Sequence, residues 1–326
     1  MWKVSHSAVQ GRAHMSFGLP CQDKTYTIHQ DGCTVCALAD GAGSAKLSHH
    51  GAEAVTQGVC HYLADHFDTI VHNDDGVHVK MDILGQVTLL LEGLSSEMGC
   101  APQDLASTLL FVATKGDDFV IGHLGDGVIG YVKAGKVKVA TYPQNGEYAN
   151  TTSFTTSIAA LNEIRLIKGK LGDISGFVMM SDGTETSLYN LRTKLLSRAI
   201  LSLVKEAGRS GEAMNEPLKE SLETVIRERT MDDCSLAIMA RTFDTQEYLS
   251  LSAEGKAAFW EMPCTRKSAK LIAARDQLLR TMNTWRTPNM VRKQLHWHEG
   301  SFWNRFEHLR KAGLVQVKEG NLAKAA

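Results

Sequence analysis

The sequence lacks any run of about 18 or more apolar residues, so no segment has the length of a membrane-spanning helix. Its first ten residues, Met1 to Gln10, also lack the basic-then-apolar layout of a secretory signal peptide. Charged residues make up 22% of the 326 residues and apolar residues 43%, which excludes wholesale disorder. These absences predict a folded cytoplasmic protein.

A disulfide framework is also missing. The seven cysteines are odd in number, and most lie in apolar contexts, as do Cys33, Cys36, Cys60 and Cys234. This pattern is typical of reduced core cysteines. Cys33 and Cys36 form a CxxC, but no second CxxC or histidine pair follows at zinc spacing. A strand would also point the two side chains to opposite faces, so we predict no metal or redox role for them.

Net charge is nearly absent as well, at −1, but it is unevenly spread. Of 35 Lys and Arg and 36 Asp and Glu, 14 and 6 respectively lie in residues 248–326. That segment therefore carries +8 and the rest of the chain −9. The asymmetry predicts two units with different roles.

The central motif is the stretch Gly32–Gly51, GCTVCALADGAGSAKLSHHG. The apolar run Cys33–Ala39 has the length of a buried strand, and it stops on Asp-Gly-Ala-Gly. A helix is predicted from about Lys46. A carboxylate at a strand end beside a glycine carbonyl suits a hard cation such as Mg²⁺ or Mn²⁺, which prefers oxygen ligands. Alone, such a motif is more often a plain turn.

Matching carboxylates occur at the ends of further strands. The aspartates at the ends of apolar or β-rich runs are Asp40, Asp126, Asp182 and Asp232, and Asp23 precedes a fifth strand. One alternative is that each belongs to an independent turn. However, several carboxylates at comparable sheet ends would repel one another, and a pair of divalent cations is the natural compensation. We therefore favour a metal site.

The periodicity between these motifs predicts a mixture of helices and strands. Helices are expected over Ala52–Phe67, Met81–Glu97, Leu191–Ala207 and Glu212–Arg227, and strands over Lys24–Ile28, Phe177–Met180 and Met231–Ala240. The segment 107–140 predicts a meander of antiparallel strands. The polar segment 141–158 is either a flap over a cleft or an ordinary long loop.

The motifs, read in order, resemble a known family. The order QD, ADGAG, GDG, MMSDGT, DDCSL resembles the PPM family of metal-dependent protein phosphatases, the type 2C Ser/Thr phosphatases. The segment NGEYANTTSF is similar to the bacterial subgroup, and the likeness runs from about Val4 to Arg241. It implies an α+β fold over residues 1–242, an α-β-β-α sandwich of two antiparallel sheets flanked by helices.

The resemblance also implies roles for individual residues. Asp40 matches the aspartate that bridges two Mn²⁺ or Mg²⁺ ions, and the Gly41 carbonyl matches a ligand of one of them. Asp182 and Asp232 match ligands of one ion of the pair. Asp23 matches a carboxylate that acts near the pair, often through water.

A third, weaker ion is implied at Asp126 together with Asp182. The implied reaction is hydrolysis of phosphoserine or phosphothreonine, with a water activated between two cations attacking phosphorus. No protein nucleophile is needed. Cysteine phosphatases need a low-pKa thiolate beside phosphate-binding groups, and none of the seven cysteines lies in such a loop.

Two positions depart from the family pattern. Ala42 stands where many members have a histidine thought to protonate the leaving group, and His49, His50 or a metal-bound water are possible substitutes. Arg12 is the candidate for the arginine that holds the phosphate, but it precedes the Gln-Asp motif by more positions than is usual. Lys46 is a second candidate contact for phosphate.

The last part of the chain predicts a small second domain over 265–326, after a linker over 243–264. The expected elements are helices over Thr265–Met282, from Thr287-Pro288 and over Glu299–Ala312, an end at Gly313, and a strand over Leu314–Lys318. This order resembles a mainly helical winged-helix domain. The two alternatives for its role are DNA binding through its basic residues and docking of a protein partner. The aromatic residues Trp297, Phe302, Trp303 and Phe306 are either partner anchors or the core of this unit.

Three classes of function remain open from the sequence. The first is the phosphatase, whose partners would be phosphorylated proteins, with a Ser/Thr kinase or its target as a possible partner. The second is a non-catalytic phosphatase-like scaffold or sensor, suggested by Ala42 and the uncertain arginine. The third is a DNA-binding regulator acting through the C-terminal domain. Retention of all the candidate carboxylates favours the enzyme.

Overall fold

The computed structural model describes residues 1–144, 152–318 and 322–326. The chain divides into two compact units, residues 2–132 with 136–241, and residues 242–326 with Met1 and 133–135. Within the described residues, no helix combines the length and the apolar character needed to cross a membrane. Part of the predicted flap, and most of the NGEYANTTSF segment, lies outside the described residues.

The larger unit contains most of the strands. Their bounds are β1 (Trp2–Val9), β2 (Lys24–Gln30), β3 (Cys33–Ala39), β4 (Leu109–Lys115), β5 (Asp118–Leu124), β6 (Val128–Lys133), β7 (Lys136–Thr141), β8 (Arg165–Lys170), β9 (Ile174–Met180), β10 (Tyr189–Asn190), β11 (Leu195–Leu196) and β12 (Cys234–Arg241). The helices are α1 (Arg12–Phe17), α2 (Ser48–His72), α3 (Gly76–Met98), α4 (Ala160–Glu163), α5 (Asp182–Leu188), α6 (Ala199–Ser210) and α7 (Asn215–Ser221).

Ten of these strands form two five-stranded sheets. Sheet I has the order β1-β12-β9-β6-β7 and sheet II the order β2-β3-β4-β5-β8. The pairings with a defined register, such as β1 with β12 and β3 with β4, are antiparallel. Two antiparallel sheets in a mixed α and β unit agree with the predicted fold class.

Three apolar clusters define the layers of this unit. The middle cluster joins β3, β4 and β5 of sheet II to β9 and β12 of sheet I, so the two sheets pack face to face. A second cluster packs α2 and α3 on the outer face of sheet II, and a third packs α6 and α7 on the outer face of sheet I. The layers are therefore helix, sheet, sheet, helix.

Strand β3 shows why its sequence is apolar throughout. Val35 and Ala37 face the helices, whereas Cys36 and Leu38 face sheet I. Because successive side chains alternate between the two faces, a strand buried on both sides has no polar positions. Cys33 and Cys36 do lie on opposite faces, and both are free thiols. The prediction of reduced core cysteines agrees with this arrangement.

The predicted meander differs from the structure at its middle. Strands β4 and β5 pair in sheet II, but β6 and β7 belong to sheet I, so the chain crosses between sheets at Gly125-Asp126-Gly127. A Cβ added at Gly127 would lie 2.6 Å from the Met180 carbonyl oxygen of β9, and Gly125 has φ +118. The two glycines permit this crossing, which short alternating runs in the sequence do not reveal.

Two further differences have local causes. Strand β1, at the edge of sheet I, was not predicted, because the polar residues at its centre interrupt the apolar pattern of a strand. There, Ser5 is buried and donates to the Gly211 carbonyl oxygen at 2.7 Å. The helix predicted from Leu191 begins only at α6, since Asn190 instead accepts hydrogen bonds from the Arg192 and Thr193 amides in a tight turn.

The smaller unit is mainly helical. Its elements are α8 (Thr245–Ser250), α9 (Ala253–Phe259), α10 (Arg266–Thr281), α11 (Pro288–Leu295), α12 (Glu299–Lys311), β13 (Val315–Lys318) and β14 (Leu322–Ala325). Strands β13 and β14 pair antiparallel. The segment predicted as a linker contains α8 and α9, and Tyr248 of α8 is fully buried in the core of this unit.

The aromatic residues of α12, and Trp297 just before it, contribute to that core. Phe302 and Phe306 are buried, while Trp297 and Trp303 pack partly buried against them. Of the two alternatives predicted for this aromatic set, the structure favours the core. A core of this size needs large side chains to remove enough apolar surface from water.

Candidate metal centre

Antiparallel pairing brings the first two candidate aspartates to one end of sheet II. Lys24 of β2 pairs with Ala39 of β3. Asp23 directly precedes Lys24 and Asp40 directly follows Ala39, so both leave the pair at the same end. The two aspartates are 17 positions apart in the sequence, but the register of the hairpin makes them neighbours.

The same rule applies to the second pair of candidates. Met180 of β9 pairs with Leu236 of β12. Asp182 lies just beyond the end of β9 and Asp232 just before the start of β12, so both stand at one end of sheet I. The crossing from β5 to β6 adds Asp126 between the sheets.

Electrostatics shows that these five carboxyl groups lie close to one another. Burial raises the pKa of Asp40 well above its usual value, and the negative charges of Asp23, Asp182, Asp232 and Asp126 raise that pKa further. Carboxylates repel strongly enough to shift a pKa only at short range in a poorly solvated site. All six predicted ligands, including Gly41, are therefore at the same end of the sandwich.

Asp182 lies in a similar electrostatic environment. Burial, with the charges of Asp126 and Asp232, raises the pKa of Asp182 to about 6. Its Oδ1 accepts a hydrogen bond from the Gly183 amide at 2.6 Å, which opposes that rise. Buried carboxyl groups that repel one another are expected where cations bind.

Asp23 is buried, and only one of its two carboxylate oxygens has a hydrogen-bond partner in the part of the chain that the structure describes. Its Oδ2 accepts a hydrogen bond from the Ser181 hydroxyl at 2.6 Å, whereas its Oδ1 has no hydrogen-bond partner among the described residues. Burial raises the pKa of Asp23 to about 7, against the hydrogen bond from Ser181. A buried oxygen without a donor is costly and is expected where a ligand completes the site.

The backbone around Asp40 is held in place by Thr108, the residue before strand β4. The Asp40 amide donates to the Thr108 hydroxyl at 2.8 Å, and the Thr108 amide donates to the Asp40 carbonyl at 2.8 Å. The next residue must be glycine, since a Cβ on Gly41 would lie 2.8 Å from the Ser48 side chain. The helix α2 therefore packs directly against the motif.

The donor set fits a hard divalent cation. Over residues 1–144, 152–318 and 322–326, no three His, Cys, Asp or Glu side chains already surround one point as an ion site would require. The set nevertheless consists of carboxylates that repel one another, together with the unpartnered Asp23 Oδ1. Oxygen donors of this kind suit Mg²⁺ or Mn²⁺ rather than soft metals.

Asp233 was not predicted and proves central to the geometry. Its carboxylate is buried, with Oδ1 accepting from the Gly11 amide at 2.6 Å and Oδ2 from the Gln22 amide at 2.5 Å. His14 Nδ1 lies 2.9 Å from the same Oδ1. Gln22 immediately precedes Asp23, so Asp233 ties two ligand segments together. The Asp-Asp pair before β12 was the available signal, because only one of two successive side chains can face the site.

A second carboxyl group near the site was also missed. Glu185 of α5 is 6% exposed, and burial together with the charges of Asp182 and Asp126 raises its pKa to about 7. Asp126 itself accepts a hydrogen bond from the Thr152 hydroxyl at 2.5 Å. The SDGTE run carried this signal, since the first turn of a helix places residues three apart on one side.

The remaining candidates are the residues predicted to contact phosphate or to protonate the leaving group. Arg12 begins α1, and its Nε donates to the Thr230 carbonyl at 3.0 Å rather than to a candidate carboxylate. Ala42 is buried in a small cluster with Ala45 and Ala106. The His49 and His50 rings are in contact, with centroids 4.0 Å apart and planes tilted by 39°. Lys46 is exposed.

Comparison with known proteins identifies the family. A family model described as Protein phosphatase 2C matches residues 10–224, which is more than half of the chain. The chain belongs to the protein phosphatase 2C family. The match includes Asp23, Asp40, Asp126 and Asp182 and ends before Asp232. It confirms the predicted resemblance and the prediction of a phosphoprotein phosphatase.

Individual relatives agree with this membership. The chain is 24% identical over 251 residues to Serine/threonine-protein phosphatase 3 of Escherichia coli strain K12, covering 73% of this chain and 97% of the relative. The crystal structure of a bacterial serine phosphatase superposes with a TM-score of 0.52 at 13% identity, over 74% of this chain and 98% of that one. The phosphatase Stp1 of Staphylococcus aureus gives 0.51 at 13% identity, over 74% and 95%. The structural likenesses show the fold.

Proposed function

We propose that this protein phosphatase 2C member hydrolyses phosphoserine and phosphothreonine in proteins, using two Mn²⁺ or Mg²⁺ ions and a weaker third. The observation that carries the proposal is that strand pairing brings the candidate aspartates to one end of the sandwich, where their charges raise the pKa of Asp40. Such a cluster is costly to fold and serves to bind cations. The phosphorylated substrate would approach this end.

The ligand assignment follows the sequence motifs. Asp40 and the Gly41 carbonyl would bind the ion pair. Asp182 and Asp232 would be further ligands of one of the two ions. Asp23, oriented by Ser181, would act beside the pair. Asp126, with Asp182, would hold the third ion.

The bound cations would supply Lewis acidity for the phosphoryl oxygens and lower the pKa of a coordinated water. The chain's own residues orient that chemistry. Thr108 fixes the backbone of Asp40, and the start of α5 fixes Asp182. A cysteine nucleophile is not part of the proposal, because burial raises the pKa of Cys36 to about 12 and likewise that of Cys234. We assign the phosphate contact to Arg12, and its hydrogen bond to the Thr230 carbonyl, two positions before Asp232, supports the assignment.

The test is metal-dependent hydrolysis of p-nitrophenyl phosphate and of a phosphoserine peptide. Wild type should be active with Mn²⁺ and inactive with EDTA. Asp40→Asn and Asp182→Asn should lower kcat by at least about a hundredfold, because each removes an anionic ligand of the ions. The matched control is Asp74→Asn, an exposed aspartate distant from the cluster in sequence, which should keep full activity.

The scaffold alternative makes the opposite forecast. If wild type leaves both substrates intact in excess Mn²⁺ while remaining folded, the enzyme proposal fails. The buried apolar setting of Ala42 is the observation that favours this alternative.

For the C-terminal part we propose a winged-helix-like domain over 265–326 that docks a phosphorylated protein, such as a kinase or its target, with residues 1–242 as the catalytic domain. The segment 243–264, predicted as a linker, adds α8 and α9 to the core of the smaller unit. The order α10, α11, α12 and then the β13-β14 hairpin supports the domain type. Docking of DNA is the competing role. A cytoplasmic location is part of the same proposal.

A further inference from the structure

A cavity in the smaller unit has the character of an anion site. It lies between α10 and α12 and has a volume of about 340 Å³. Its lining residues are Leu271, Arg275, Gly300, Ser301, Asn304 and Arg305. Two of the six are arginines and none is acidic. We call it the α10–α12 cavity.

Arg275 is the most unusual of these residues, since it is only 6% exposed. Its guanidinium stacks on the Trp260 ring at 4.0 Å, and its Nη1 has only the Met262 sulfur at 3.8 Å as a hydrogen-bond acceptor. Among the described residues it has no carboxylate partner. The adjacent Asp276 is already bound by Lys256 at 2.7 Å and by Tyr248 at 2.8 Å. A buried cation without an anion is costly unless a ligand supplies one.

Arg305 stands across the cavity on α12. Its Nε is buried and has no hydrogen-bond partner within the described part of the chain, while its Nη1 donates to the Ser301 carbonyl at 2.7 Å. Its guanidinium lies over the Trp297 ring at 5.0 Å. Burial lowers the pKa of Arg275, Tyr248 opposes this, and the charge of Arg305 lowers it further, so the two guanidinium groups are near neighbours.

The start of α12 adds donors to the same cavity. This helix has 13 residues, and its N-cap residue His298 makes no side-chain capping hydrogen bond. Gly300 and Ser301, in the first turn, line the cavity. Amides of a first helical turn have no partner within the helix, and together with the helix dipole they favour an anion.

We propose that the α10–α12 cavity binds the phosphate group of a phosphoserine or phosphothreonine side chain in a polypeptide. Two guanidinium forks and uncapped helix amides match a phosphate dianion, which accepts several charge-assisted hydrogen bonds at once. The two arginines line one cavity, as in phosphopeptide sites, rather than following a line of phosphates as DNA binding requires. The choice of a phosphorylated polypeptide rests on the proposed function, whose reactant is such a chain.

The experiment measures binding of a dye-labelled phosphoserine peptide by fluorescence anisotropy to the full chain in EDTA. The same peptide without phosphate is the first control, and inorganic phosphate and a DNA duplex are competitors. The variants are Arg305→Gln, which is partly exposed, and Arg275→Lys, which keeps the charge but loses the fork. The matched control is Arg310→Gln on α12, whose exposed side chain pairs with Glu307 outside the cavity.

We expect the phosphorylated peptide to bind at least about tenfold more tightly than its unphosphorylated form, because hydrogen bonds between charged groups contribute strongly. Arg305→Gln and Arg275→Lys should each weaken that binding by about tenfold or more, and Arg310→Gln should leave it unchanged. Turnover of p-nitrophenyl phosphate with Mn²⁺ should be the same in Arg305→Gln as in wild type.

Several results would overturn the proposal. These are equal binding of the two peptides, wild-type binding by Arg305→Gln, or DNA binding that is lost in Arg305→Gln while the phosphopeptide does not bind. If Arg275→Lys fails to fold, Arg305→Gln decides alone. Competition by inorganic phosphate with no preference for the peptide would assign the site to free phosphate instead. Absence of turnover in wild type would end the proposed function but leave this binding test intact.

Discussion

Asp233 shows how much a single side chain can organise at the residue scale. Its carboxylate accepts amide hydrogen bonds from Gly11 and Gln22 and contacts His14, and it is 222 positions from Gly11 in the sequence. Because Gln22 precedes Asp23 and Asp233 follows Asp232, the contacts of Asp233 fix two proposed ligands relative to each other. Asp233 is therefore a positioning residue rather than a ligand.

Replacing Asp233 should change the response to metal more than the chemistry. Asp233→Ala leaves the Gly11 and Gln22 amides without acceptors, each at a cost of about 1–3 kcal/mol. Asp233→Asn keeps one acceptor oxygen and should be milder. We expect the Mn²⁺ concentration for half-maximal activity to rise by about tenfold in Asp233→Ala and less in Asp233→Asn, as for other residues that support ligands.

The measurement is an Mn²⁺ titration of p-nitrophenyl phosphate hydrolysis, with Asp74→Ala as the control. A variant with a lower melting temperature but an unchanged Mn²⁺ requirement would show that Asp233 is only structural.

Residues of this kind set the limit of prediction from sequence. The candidate ligand aspartates were predicted because each lies at the end of an apolar or β-rich run, and Asp40, Asp126 and Asp182 also have a glycine beside them. The Asp-Asp pair and the SDGTE run mark Asp233 and Glu185 only as neighbours of such residues, and His14 has no local mark. Their importance comes from partners on distant segments, which only the packed structure brings together.

At the scale of elements, glycines decide how strands approach one another. The passage from β5 to β6 runs so close to β9 that Gly127 has no room for a side chain. This crossing places Asp126 at the candidate metal centre. The strands themselves were predicted from alternation, but the change of sheet was not, since a hairpin and a crossing have the same local pattern.

Gly127→Ala should therefore destabilise the larger unit by about 1–3 kcal/mol, because the Met180 carbonyl belongs to a central strand and cannot move away. The matched substitution is Gly85→Ala on the exposed face of α3, where an added Cβ meets nothing within 4 Å. That change should stabilise by about 0.5–1 kcal/mol, as alanine favours helix over glycine. Urea denaturation of both variants measures the difference.

Equal stability of the two glycine variants would contradict the close approach of the crossing to β9. If Gly127→Ala loses activity under conditions in which it remains folded, the loss would agree with displacement of Asp126.

At the scale of the whole molecule, the buried aspartates of the candidate metal centre should make the free energy of unfolding depend on pH and on bound metal. Burial raises the pKa of Asp23 to about 7 and that of Asp182 to about 6, whereas an unfolded aspartate has a pKa of about 3.9. Between those values the folded chain binds more protons than the unfolded chain. These groups therefore make the metal-free protein less stable as pH rises from about 4 to about 7.

Asp23→Asn should remove part of this dependence. In EDTA, the variant and wild type should have similar melting temperatures near pH 4, and the variant should be the more stable near pH 7, by about 1.4 kcal/mol for each unit of pKa difference removed. Burial lowers the pKa of His123 to about 4, so His123 changes stability with pH in the opposite direction. Its contribution is the same in both proteins and cancels when the two are compared. Thermal scans across pH measure it.

Adding Mn²⁺ should raise the melting temperature of wild type most near neutral pH, where the carboxylates lose their protons. A wild type that gains stability relative to Asp23→Asn as pH rises in EDTA would contradict the burial of that carboxyl group. Asp74→Asn serves as the control, since its side chain is exposed.

The sequence by itself determined the ordered aspartate–glycine motifs, the family, most helices and strands, and the division into an acidic and a basic segment. Those features are local: a strand length, a turn residue or a charge can be recognised within a few neighbours. Only the tertiary structure decided that β5 and β6 lie in different sheets, that Asp233 holds two ligand segments, and that Arg275 and Arg305 face one cavity without an acidic lining residue. Each of these depends on contacts between segments far apart in the chain, which residue spacing does not encode.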